Sequence, residues 1–132
     1  MKTAASSDLE ILLRALADRT RLRLLNLIGD KEVCVCFLVE ILKTSQPKIS
    51  RHLAYLRRAG IVSSRRDGKW MHYRLTAPAD ATAKRVVDDV RKWLQADTAM
   101  VQERQRLEGI CCGSRPPARL QQAPQPIQLA SK

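Results

Sequence analysis

Residues 36–75 constrain the fold more than any other part of this chain. They hold two short apolar-periodic stretches joined by Thr44-Ser45-Gln46-Pro47, followed by two β-like runs around Arg66-Asp67-Gly68-Lys69. Leu38, Ile41 and Leu42 give the first stretch, residues 36–42, one apolar side. Ile49, Leu53 and Leu56 give the second the i, i+4, i+7 spacing of a helix buried on one face, leaving Arg51, Ala54, Tyr55 and Arg58 outward. Ser45 suits the N-cap, and a proline in the first turn is harmless because its missing N–H would have no partner there. Gly60 closes this helix. Residues 61–65 and 70–75 then read as strands, with Asp-Gly as a strong hairpin signal. Two short helices on a tight turn, followed by a hairpin, describe a winged helix-turn-helix, mainly α with one β-hairpin.

The flanks are helical. Residues 8–17 place Leu9, Leu12, Leu13 and Leu16 on one stripe. Asp18 then caps a helix over 19–28 whose Leu22, Leu25 and Ile28 face inward and whose stop is Gly29. A long helix is expected from 80 to about 107, with Val86, Val90, Trp93, Met100 and Leu107 near heptad spacing and Asp97 and Arg104 interrupting the seam. Residues 113–132, rich in proline and glutamine, are expected to be disordered, which leaves one domain over 1–112.

Lys and Arg number 24 against 13 Asp and Glu, a net charge of +11 on 132 residues, and only Arg115, Arg119 and Lys132 of the basic residues lie past residue 112. Such a domain favours polyanions, nucleic acid ahead of a membrane surface. No apolar run approaches the roughly 18 residues of a membrane span. Four cysteines without a cleavable signal peptide point to a reducing compartment, the cytoplasm. There is no Gly-rich phosphate loop, no Ser-His-Asp set and no paired-carboxylate motif, so neither an enzyme nor an organic cofactor is expected.

A recognition helix enters the major groove with its N-terminal residues on base edges. Gln46, Lys48, Ser50, Arg51 and His52 occupy those positions, Gln46 suited to adenine and Arg51 to guanine. His52 lies closer to the buried stripe than Arg51, so packing is its competing role. Arg57 and Arg58, nearer the helix end, suit phosphates. Arg65, Arg66 and Lys69 at the hairpin suit a minor groove or flanking phosphates. The partner implied is double-stranded DNA.

The run Ser45-Gln-Pro-Lys-Ile-Ser-Arg-His-Leu-Ala-Tyr-Leu-Arg-Arg-Ala-Gly-Ile-Val62 resembles the recognition segment of the ArsR/SmtB family of metal-responsive repressors. Arg66-Asp-Gly-Lys-Trp-Met-His-Tyr-Arg-Leu75 resembles that family's wing, and Leu16-Ala-Asp-Arg-Thr-Arg-Leu22 its entry to the second helix, with Arg19 where the family usually has proline. The similarity covers about residues 8–107. It implies a homodimer built on the first and last helices and bound to a palindromic operator.

Cys34-Val35-Cys36 sits just upstream of the helix-turn-helix. Thiolates are soft ligands that select soft ions. Trivalent arsenic and antimony favour three sulfurs in a pyramid, whereas zinc and cadmium favour four ligands. Residues i and i+2 of a regular helix point about 200° apart, so both cysteines can hold one ion only where the chain is not helical. Glu32-Val-Cys-Val-Cys36 resembles the sensing motif of arsenic- and cadmium-responsive family members. The third cysteine of the arsenic type is here Val39, and the N-terminal cysteines of the cadmium type are absent. Cys111 and Cys112 stand where some arsenic-responsive relatives carry a vicinal pair. The expected site is Cys34 and Cys36 with one of Cys111 or Cys112 from either subunit. Alternatively, Cys111-Cys112 alone would bind a monomethylated arsenical. The expected inducer is arsenite, with antimony or methylarsenite as variants, and the alternative is a thiol-redox or cadmium/lead-responsive repressor of the same fold. The residues 80–107 lack histidine, which excludes a zinc site of the Asp/His type on the last helix.

Overall fold

The computed structural model describes residues 6–112, 120 and 122–129. In chain order it comprises α1 (Ser6–Leu16), α2 (Arg19–Ile28), β1 (Lys31–Cys34), α3 (Val35–Leu42), α4 (Gln46–Arg58), β2 (Val62–Asp67), β3 (Trp70–Leu75), α5 (Ala81–Ala96), α6 (Thr98–Cys112) and β4 (Ile127–Gln128). This is a winged helix-turn-helix: α3 and α4 form the helix pair, and β2 and β3 the wing.

The local signals act as their chemistry requires. Asp18 caps α2, its carboxylate accepting from the Arg21 N–H at 3.0 Å. Gly29 ends that helix at φ 49°, its N–H donating to the Leu25 carbonyl. Ser45 holds the N-cap position of α4, without a side-chain cap bond. Asp67 pairs with Trp70, leaving Gly68-Lys69 as the loop, and Gly68 alone has positive φ (60°). That is a type II′ turn, whose twist matches the strands it joins. Ile49, Leu53 and Leu56 of α4 are fully buried and share one core with Leu24, Leu25 and Ile28 of α2 and Phe37 and Leu38 of α3.

Three features depart from the expectations. The hairpin is not alone: among the described residues the sheet has the order β2-β3-β1-β4, all antiparallel. The single helix over 80–107 is two helices. Asp97 leaves helical geometry (ψ 127°) and its carboxylate accepts from the Met100 N–H at 3.2 Å, ending α5 and capping α6. Arg104 seals the break by donating to the Leu94 and Gln95 carbonyls at the end of α5. The two residues that spoil the apolar seam are thus the ones that fold the helix back.

Part of the expected disordered tail is ordered. Ile127 and Gln128 pair with Glu32 and Lys31 of β1, and Leu120 and Ala123 are buried. The edge of β1 offers unpaired backbone groups, which any extended segment can satisfy whatever its side chains. Residues 113–119, 121 and 130–132, on which the rest of that expectation falls, lie outside the described residues.

Candidate DNA interface and thiol site

The basic face is continuous from α4 to the wing. Gln46, Lys48, Arg51, Arg57 and Arg58 are exposed, Ser50 and His52 are half-buried, and Arg65, Arg66 and Lys69 are exposed. Arg57 donates to the Ser64 hydroxyl at 3.0 Å, tying the end of the recognition helix to the wing. Lys69 Nζ lies 5.0 Å over the Trp70 ring. Arg66 and Lys69 therefore sit at the turn and Gln46, Lys48 and Arg51 at the start of α4, the two places where a groove-docked winged helix meets DNA.

Arg65 is committed elsewhere. Its guanidinium donates to the Glu32 carboxylate at 2.5 and 3.2 Å, crossing from β2 to β1. Glu32 is buried, and the Arg65 hydrogen bonds hold its carboxyl below the ordinary carboxylate range. Sequence reasoning gave Arg65 to DNA. The reason for the difference is β1, a strand of four residues too short to leave a period in the sequence.

The cysteine pair is set by the junction between β1 and α3. Cys34 is the last residue of the strand, in extended conformation (φ −66°, ψ 140°), and is the N-cap of α3; Cys36 lies in the first turn. Leaving a strand and entering a helix between them removes the 200° divergence of a regular helix, and the two sulfurs stand 2.8 Å apart. Cys34 is fully buried and Cys36 half-buried, with no disulfide between them. The Cys36 S–H donates to Cys34, which lowers the Cys34 thiol to about 7 and raises that of Cys36. One proton therefore leaves the pair readily and the other is held. The two sulfurs form a converging pair that shares one hydrogen bond.

Cys111 is buried in the last turn of α6, its Sγ 3.6 Å from the Glu108 carbonyl. Cys112 ends α6, and its side chain lies outside the described residues. The structure brings Cys34 and Cys36 together and does not bring Cys111 to them: among the described residues no three Cys, His, Asp or Glu side chains converge on one ion position. Helix α6 is locked to α2. Arg23 donates to both Glu103 carboxylate oxygens at 2.7–3.1 Å, Asn26 donates to the Met100 carbonyl at 2.9 Å, and Arg104 donates to the Asn26 side chain. The Glu103 bond also raises the Arg23 guanidinium pKa. No helix of the described residues is long and apolar enough to cross a membrane.

Comparison with known proteins agrees with this geometry. Residues 18–64, from the α2 cap into the wing, match the model described as "Bacterial regulatory protein, arsR family". The chain is 48% identical over 98 residues to the arsenic resistance transcriptional regulator ArsR1 of Pseudomonas putida, covering 70% of this chain and 77% of that one. It is 48% identical over 79 residues to the arsenical resistance operon repressor of Escherichia coli, covering 59% and 68%. Among solved structures, HlyU from Vibrio cholerae superposes with a TM-score of 0.57 at 32% identity, covering 67% of this chain and 92% of that chain. With its helix pair, wing and basic face in place, this chain belongs to the arsR family of bacterial regulatory proteins, DNA-binding transcription regulators and not enzymes.

Proposed function

We propose that this protein is a cytoplasmic, homodimeric repressor that leaves its operator when trivalent arsenic, or antimony, binds its cysteine thiolates, derepressing arsenic-resistance genes. The observation that carries this reading is the sulfur pair of Cys34 and Cys36, 2.8 Å apart, one short helix away from α4. Each sulfur joins arsenite by losing its proton to a departing hydroxide, so each As–S bond releases one water. A third sulfur from Cys111 or Cys112, of the same subunit or the other, completes the pyramid; Cys111-Cys112 alone would serve a methylarsenite.

An ion held by both sulfurs draws on Cys36, which stands in the first turn of α3. That turn is the near end of the element that supports the recognition helix. A conformational bias of about 1–3 kcal/mol weakens operator binding 5- to 150-fold.

Gln46, Lys48, Ser50, Arg51 and His52 are assigned to base edges and neighbouring phosphates, and Arg57, Arg58, Arg66 and Lys69 to the backbone. Dimerisation is assigned to the first helix, α1, and to the last helical segment expected over 80–107, which is here α5 and α6. Leu9 (39% exposed) and Leu13 (56%) on α1 and Trp93 (79%) on α5 support this, being large apolar side chains left in water by the single chain. Two recognition helices then address half-sites about 34–36 Å apart.

A thiol-redox reading has one observation in its favour, the Cys34 thiol lowered to about 7. One titration separates the two. The reduced protein, bound to a labelled fragment of its own upstream DNA, is titrated with arsenite, antimonite, methylarsenite, cadmium, lead and peroxide in turn, and release is followed. Release by an arsenical at low stoichiometry without release by peroxide is expected, and Cys34→Ser should keep binding DNA and ignore arsenite. A normal arsenite response from Cys34→Ser removes the proposed site; release by peroxide alone replaces arsenic by redox.

A further inference from the structure

Arg21 stands behind the recognition helix, outside the set of residues assigned to DNA. All of its guanidinium nitrogens are engaged. Nε donates to the Ala15 carbonyl and Nη2 to the Arg14 carbonyl, each at 2.8 Å, gripping the end of α1. Nη1 faces His52 Nδ1 at 3.3 Å. The guanidinium carbon lies 4.2 Å over the Tyr55 ring, so Arg21 meets His52 and Tyr55, one helical turn apart on the same side of α4.

This arrangement fixes a proton. A guanidinium has donors and no acceptor and stays charged, so the atom facing Nη1 must offer a lone pair. Nδ1 of His52 is therefore the acceptor, and in the neutral ring the proton sits on Nε2. The competing partner of Nδ1, the Asp18 carboxylate, stands at 3.8 Å, beyond hydrogen-bond distance. The His52 side chain is 27% exposed, and Nε2 is not sealed off: among the described residues the one buried side-chain nitrogen without a partner is His72 Nε2.

We infer that Arg21 is a positioning residue that holds His52 as its Nε2–H tautomer, making His52 a fixed hydrogen-bond donor to an acceptor atom of operator DNA. This rests on the repressor reading. The acceptor is a guanine edge or a phosphate oxygen, either of which takes an N–H. Because the same guanidinium grips the end of α1, the donor is also registered to the helix on which the dimer is proposed to form.

The test has two arms. Long-range proton–nitrogen spectra of the free protein at pH 8 report the His52 tautomer, expected as Nε2–H in the wild type and as a mixture in Arg21→Met. Operator affinity is then measured for His52→Gln, whose amide nitrogen reaches the Nε2 position, and for His52→Asn, which reaches only that of Nδ1. These half-exposed substitutions leave the fold intact even if Arg21→Met loosens it. The expected result is His52→Gln within a fewfold of wild type and His52→Asn weaker by about tenfold, the scale of one good contact. Loss on the operator alone identifies a guanine edge; equal loss on an unrelated duplex identifies a phosphate. An Nδ1–H tautomer in the wild type, or His52→Asn binding as tightly as His52→Gln, overturns the inference. A wild-type chain with the Nε2–H tautomer that binds neither duplex overturns the repressor reading, and the DNA half of this inference with it.

Discussion

Replacing Glu103 by Gln tests the fold-back of α6 at its strongest point. Glu103 is 5% exposed and receives three contacts from Arg23 at 2.7–3.1 Å and one from Arg106 at 2.9 Å. The amide keeps the shape and removes the charge, so the loss is that of charge-assisted hydrogen bonds, about 1.5–3 kcal/mol. Arg23 and Arg106 reach solvent (26% and 58% exposed side chains) and rehydrate in part, which places the expected loss near the lower end, about 2 kcal/mol. At roughly 4 °C per kcal/mol for a domain of this size, Tm falls by about 8 °C. Urea unfolding of the wild type, Glu103→Gln, Arg23→Met and the double variant gives the coupling directly; about 1.5 kcal/mol or more is expected between the two sites. If α5 and α6 ran on as one helix, Glu103 would lie far from α2 in solvent, and each substitution would cost under about 0.5 kcal/mol with no coupling. A coupling near zero therefore refutes the fold-back.

Glu32 has its carboxyl pKa lowered by the Arg65 hydrogen bonds, so its contribution is complete above the ordinary value of 4.5 and lost as pH falls through the lower folded value. Wild-type stability should drop below pH 4.5 more steeply than that of Glu32→Gln, and parallel unfolding curves would remove the strand-to-wing tie. Thiolate ultraviolet absorbance should rise with a midpoint of about 7 for Cys34, and Cys36→Ala should move it upward, because the largest lowering contribution goes and burial remains. An unchanged midpoint would mean that Cys36 does not donate to Cys34. Leu13→Glu places a charge on an exposed apolar position of α1 and should convert a dimer to monomer in sedimentation without loss of helicity; a surviving dimer puts the interface elsewhere.

The helix-turn-helix and wing were legible because each rests on short-range signals: the apolar spacing of Ile49, Leu53 and Leu56, the Pro47 turn and Asp67-Gly68. The exposed face of α4 followed from the same periodicity, since burying one side of the helix exposes the other. The break at Asp97 was half-legible. The residue was visible as a fault in the apolar seam, but a fault in a seam and a helix cap look the same until the carboxylate is seen accepting from Met100 N–H. Strand β1 was not legible, because four residues carry no period and its pairing with Val33↔Tyr73 and Cys34↔His72 joins positions far apart in sequence.

The cysteine site shows how the labour is divided. The sequence by itself determined the donor chemistry, two soft thiols one residue apart beside a DNA-reading helix, and it set the condition that the chain there not be regular helix. Only the tertiary structure decided that the condition holds. Pairing of β1 with β3 keeps Cys34 extended, the core on Phe37 and Leu38 starts α3 at Val35, and the two constraints converge the sulfurs to 2.8 Å. The long-range pairings behind Glu32–Arg65, Arg23–Glu103 and Arg21–His52 were likewise left to the fold. Each joins polar groups whose sequence neighbours give no hint of the partner, because a side chain finds its partner in space only after the backbone has brought two elements together.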